Sequence, residues 1–172
     1  MIRTLLICTL GFSGGMARDA LAQHQTLAPE SRKLGAESAL ALSGMVSGKP
    51  IQVSGGGTCG HAPDVSMGGM SASLWTVNYR GSDEGTVREL NLRLLRPKDG
   101  GPDQLSFELK SKAGDHRIET GTGRKHKGEG TVTILPSGPG GRLELSGKDT
   151  KGKPIQISID CPTFSEAGAG DS

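Results

Sequence analysis

The stretch Gly152–Ser158, GKPIQIS, repeats almost letter for letter the stretch Gly48–Ser54, GKPIQVS, and a cysteine follows each copy within five residues. Its alternation decides the fold. Ile155, Ile157 and Ile159 share one parity while Gln156, Ser158 and Asp160 hold the other, which is the period of a strand buried on one face. Working backwards, Leu143-Glu144-Leu145-Ser146-Gly147 precedes the second copy as Leu40-Ala41-Leu42-Ser43-Gly44 precedes the first, so a whole hairpin is written twice. Duplication and convergence of two hairpins both account for this. Cys161 continues the inward parity of Ile155–Ile159, and Cys59 continues that of Ile51 and Val53 across a glycine run that is able to bend. A buried bridge between the first and last hairpins follows.

The same alternation recurs along the chain, with short apolar runs separated by Gly, Pro and Asp clusters such as PKDGGPD at Pro97 and PSGPGG at Pro136. Inward faces read Trp75-Val77-Tyr79, Leu90-Leu92-Leu94, Leu105-Phe107-Leu109, Val132-Ile134 and Leu143-Leu145, with charged residues on the opposite parity. The expected fold is all-β: a single antiparallel β-sandwich or barrel-like domain of eight to nine short strands with one disulfide. It should occupy residues 38–164, with short strands at Lys49–Ser54 and Ser73–Arg80 enclosing an irregular loop.

The opening MIRTLLICTLGFSGGMARDALAQ has a charged Arg3, an apolar run and a small-x-small site at Ala20-Leu21-Ala22, so residues 1–22 read as a secretory signal peptide. Residues 23–37 are polar and small and read as a flexible tether, and 165–172, SEAGAGDS, as a flexible tail. Cys8 leaves with the signal. The remaining Cys59 and Cys161 then pair in an oxidising compartment, periplasmic or extracellular. No segment reaches the roughly 20 apolar residues of a membrane span. Without the leader, 18 basic residues face 17 acidic ones, a balance that gives no bulk attraction for nucleic acid.

The segment CGHAPDVSMGGM, Cys59–Met70, places an imidazole and two thioethers close in sequence. His61, Met67 and Met70 are ligand types that suit copper, particularly Cu(I), so a periplasmic copper-binding protein is one alternative; the other reading has methionines plugging a core, and no cofactor. His61 and Asp64 with Ser66 or Ser71 have the composition of a hydrolase triad, the basis of a second alternative, a small secreted hydrolase, but their local spacing does not form that geometry. Arg124, Lys125 and Lys127 sit between glycines at a hairpin tip and are candidate contacts for phosphate or sulfate, or simply a solvated turn. Of the aromatic residues beyond the leader, Trp75, Tyr79, Phe107 and Phe164, at least three fall on core parity, which leaves no platform for sugar stacking.

The end of the chain, GEGTVTILPSGPGGRLELSGKDTKGKPIQISIDCP at Gly128–Pro162, resembles in layout the C-terminus of the mycobacterial nineteen-kilodalton lipoprotein antigen family, as does the position of Cys59. The resemblance implies a non-enzymatic envelope β domain and transfers no catalytic residue. The expectation is therefore a secreted, monomeric, non-catalytic binding or interaction module for a protein or small-molecule ligand.

Overall fold

The structure, a computed structural model, describes residues 38–121 and 127–167. The signal peptide and tether expected over residues 1–37 lie outside the described residues, as do Arg124 and Lys125. The strands are β1 (Ser38–Val46), β2 (Lys49–Met67), β3 (Met70–Arg80), β4 (Val87–Pro97), β5 (Gln104–Ser111), β6 (Gly114–Glu119), β7 (Glu129–Ser137), β8 (Gly140–Lys148), β9 (Pro154–Cys161) and the two-residue β10 (Ser165–Glu166). The first nine form one sheet in the order β6-β5-β4-β3-β2-β1-β9-β8-β7, antiparallel at every pairing. The expected all-β domain thus takes the barrel-like form, a single sheet curled into a half-barrel.

The curl follows from the alternating sequence. The first nine strands each contribute apolar side chains to one buried cluster running from Leu40 and Leu42 through Val77, Leu90, Phe107 and Ile118 to Val132, Leu143 and Ile159. A flat sheet would leave those side chains in water, whereas coiling it inward removes them at roughly 25 cal/mol per Å² of apolar surface. The two edge strands approach each other where Glu119 and Lys127 exchange backbone hydrogen bonds of 2.8 and 3.1 Å. Outside the curl a second, smaller cluster joins Ala62, Val65, Ala72, Leu74 and Leu95.

The repeated hairpins are β1–β2 and β8–β9, and they lie side by side because β1 pairs with β9. Their shared LSG glycines do the same work. A Cβ at Gly44 would sit 2.0 Å from the Gln156 carbonyl oxygen of β9, and one at Gly147 would sit 2.2 Å from that of Glu129 in β7. Each copy therefore needs glycine where the neighbouring backbone passes close.

The irregular loop expected between Ser54 and Ser73 is instead strand. β2 runs 19 residues, from Lys49 to Met67, and meets β3 through a two-residue turn at Gly68-Gly69, with φ of 57° and 80°. Two successive positive φ values define the hairpin turn whose twist matches that of the strands, and glycine adopts it without steric cost. A bulge between Ala62 and Val65 absorbs Pro63-Asp64. At the other end the chain stays on the sheet beyond Phe164: Ser165 and Glu166, expected in the tail, pair in parallel with Gly60 and His61.

Cys59 and Cys161 form the expected disulfide, buried and with Cα atoms 6.0 Å apart. Closing a loop of 102 residues stabilises a chain by about 4–5 kcal/mol in the loop-entropy description. The oxidised protein should accordingly show no Ellman-reactive thiol at these positions even when denatured, and reduction should shift its urea midpoint down by an amount of that order. Two reactive thiols in the denatured, unreduced protein would contradict the pairing.

Candidate functional site

Strand register builds a row of large polar and aromatic side chains at one end of the concave face. His61 of β2 lies opposite Trp75 of β3, and their rings stack at 4.4 Å with 13° between planes. Phe164 meets the imidazole edge-on at 6.4 Å, and the Arg96 guanidinium lies 5.5 Å from the indole centroid. Arg96 in turn donates to both carboxylate oxygens of Asp103, at 2.8–3.2 Å, and reaches across the curl to the Val132 carbonyl at 3.3 Å. The fork-on-carboxylate bonds to Asp103 raise the arginine pKa, while burial lowers that of His61 and favours the neutral, stacking imidazole. This row ties β2, β3, β4 and β7 together and engages the indole with protein groups.

The proposed copper ligands are not brought together. Met67 and Met70 face each other across the turn on the convex side and pack against the outer cluster of Ala62, Val65 and Leu74, whereas His61 stacks on Trp75, which packs against the inner core. The bulge is the cause. Its extra residue reverses the parity of everything after it, so Met67 points away from the face that His61 occupies. Asp64, on the bulge, pairs with Lys98, and His61 with Trp75, so no His61–Asp64 couple forms. Lys127, the described member of the basic tip, is exposed and bridges to Glu119 through its backbone.

A buried polar pair escaped the sequence reading. His116 Nδ1 and Asp149 Oδ2 are 2.7 Å apart, with side chains 6% and 1% exposed. The other Asp149 oxygen accepts the amide hydrogens of Lys151 and Lys153 at 2.8 Å each, and Thr150 donates to the Arg117 carbonyl. Base and orienting acid have the composition of a catalytic dyad. Here the carboxylate organises the β8–β9 turn and fastens it to β6, and His116 Nε2 is buried with no hydrogen-bond partner. The sequence signal was the turn D-T-K-G, in which an aspartate caps the amides that follow it.

The convex face carries the accessible candidate. Across the central strands β2–β5 runs a trough of about 390 Å³, lined by Thr58, Thr76, Asn78, Asn91, Arg93 and Ser106, with Glu108 at one side. Gly60 forms part of its floor, and Ser165 and Ala167 wall one end. The Ser165 hydroxyl donates to the Cys59 carbonyl at 3.0 Å, which fixes that wall to the disulfide strand. Strand pairing places Thr58, Thr76, Asn78, Asn91, Arg93, Ser106 and Glu108 on the outward parity.

The chain is thus an all-β, single-disulfide protein with a polar trough on a curled sheet. No protein-family model matches it, and no curated protein or solved structure matches it at a significant level. Among the described residues no helix is long and apolar enough to cross a membrane.

The Asp149 tie has a pH signature. Burial pushes its carboxyl pKa up, but the amides of Lys153 and Lys151 together with His116 outweigh burial and hold it below 3.8. A carboxyl depressed in the folded state takes up its proton more readily in the unfolded chain. Its contribution is therefore complete above the unfolded carboxylate pKa and is lost as pH falls through the folded value. Urea titrations of wild type and Asp149→Asn should show the variant less stable at neutral pH, with the gap narrowing below about pH 4. A gap that widens on acidification would contradict this role.

Proposed function

We propose that the protein is an exported, non-catalytic binding module of the envelope or extracellular space, and that the convex trough over β2–β5 is its recognition surface. The trough carries the reading. It presents hydrogen-bonding side chains from four neighbouring strands, so ligand groups meet donors and acceptors held in place by the sheet rather than by loops. Its volume falls in the range of small-molecule sites.

Export is supported by the leader-like first 22 residues and by the buried disulfide, a bond that persists in oxidising compartments. The resemblance to the nineteen-kilodalton lipoprotein antigens points the same way. A joint His61, Met67 and Met70 copper site has no place in this reading, since imidazole and thioethers occupy opposite faces.

Two measurements test the proposal together. After fractionation of the native cell, the chain should be found outside the cytoplasm in its disulfide form. A screen of ¹⁵N-labelled protein against a mixed metabolite panel should move amide signals around Thr76, Asn78, Asn91 and Ser106 without consuming any compound. Cytoplasmic, reduced protein would overturn the export arm; turnover of a panel compound, or hits mapping away from the trough, would overturn the binding arm.

A further inference from the structure

Among the described residues Arg93 differs from the other arginines in its side-chain partner. Arg88, Arg96, Arg117 and Arg142 each hold a carboxylate within 4.0 Å, and the exposed Arg80 lies opposite Glu89 in the strand register. For Arg93 the side-chain partner is the Met67 thioether, at 3.2 Å from Nη2. Sulfur of this kind is a weak acceptor and cannot neutralise a guanidinium. Arg93 is half-buried, at the junction of the trough with an adjoining recess of about 210 Å³. The acids that line the trough and the recess have other partners: Glu108 lies 4.0 Å from Lys110, and Glu119 is bonded by Arg117.

Resting on the binding-module reading, we propose that Arg93 anchors the carboxylate of a sugar acid whose hydroxyl groups lie along the trough. A guanidinium presents a planar fork that matches a carboxylate with two parallel bonds. Around it, Thr76, Asn78, Asn91 and Ser106 are neutral groups able both to donate and to accept, which is what a row of hydroxyls requires. Glu108 accepts from hydroxyls and repels a carboxylate, so it orients the acid end toward Arg93.

A peptide carboxylate is less suited. Peptides that join sheets do so through backbone bonds at a free edge, whereas β3 and β4 are paired on both sides and offer side chains only. The few aromatic side chains among the described residues, used in the core and in the His61 row, leave recognition to charge and hydrogen bonds.

The experiment is an NMR titration of oxidised ¹⁵N-labelled protein with sodium galacturonate, with galactose, and with an N-acetylated tripeptide carrying a free C-terminal carboxylate. Galacturonate should shift the trough amides saturably, and galactose should bind at least about tenfold more weakly. Arg93→Gln, checked for an unchanged urea midpoint, should lower galacturonate affinity about tenfold. If that variant misfolds, Arg93→Lys serves instead: it keeps the charge, loses the fork, and should weaken binding several-fold. Absence of saturable galacturonate shifts, or wild-type affinity in the folded Arg93 variant, overturns the proposal. So does tripeptide binding as tight as galacturonate. Trough binding by panel compounds that survives Arg93→Gln would overturn the carboxylate anchor and leave the binding-module reading standing.

Discussion

The structure depends on a step in β2, and on the disulfide that secures it. The lower part of β2, Lys49–Gly57, pairs with β1, and its upper part, Gly57–Met67, pairs with β3 on the other side. Such a stagger between neighbours is what tilts strands and lets a sheet close on itself. It also leaves the upper part of β2 without β1 beside it. Cys59 lies just past the step, and its bond to Cys161 ties the upper half of β2 to the end of β9, while β10 covers the edge at Gly60 and His61. The same few residues therefore hold the curl, the concave His61 row and one wall of the convex trough.

Two further ties keep the curl from opening. Arg96 spans the interior from β4 to the Val132 carbonyl of β7, and His116–Asp149 fastens β6 to the β8–β9 turn. The second is buried, so that a partner lost would leave the other desolvated and unpaired, whereas Arg96 keeps part of its side chain in water. A core of this kind specifies one closure of the sheet. With both faces of β2–β5 supported by packed clusters, the convex side chains are held on a stiff surface, the condition for recognition without large ordering costs.

Much of this was legible in the sequence, and the rest was hidden for physical reasons. Ile155-Ile157-Ile159 and Leu105-Phe107-Leu109 alternate cleanly, and their strands, faces and the disulfide parity of Cys161 all emerge as read. Glycines and a proline disguised β2: GGGTCGHAPDVSM has the composition of a loop, yet Gly–Gly turns the hairpin and a bulge takes up Pro63-Asp64. That single bulge residue also decides whether His61 and Met67 share a face, and its position leaves no mark in composition. The His116–Asp149 pair joins residues 33 apart through burial, which local pattern does not encode. Arg93 looked like any outward charge on an alternating strand; its distinction is a side-chain hydrogen bond to a thioether rather than to a carboxylate, a property of the assembled sheet.

Hydrogen exchange of the backbone amides, with the Cys59–Cys161 bond intact and then reduced, tests the central role of the pinned step most directly. If the bond secures the step, reduction accelerates exchange at Val77, Ile157 and Ile159 together, by a common large factor, because opening β2 from β9 opens the curl as a unit. Unchanged protection of these amides after reduction, with faster exchange only at Cys59 and Cys161 themselves, would contradict the account.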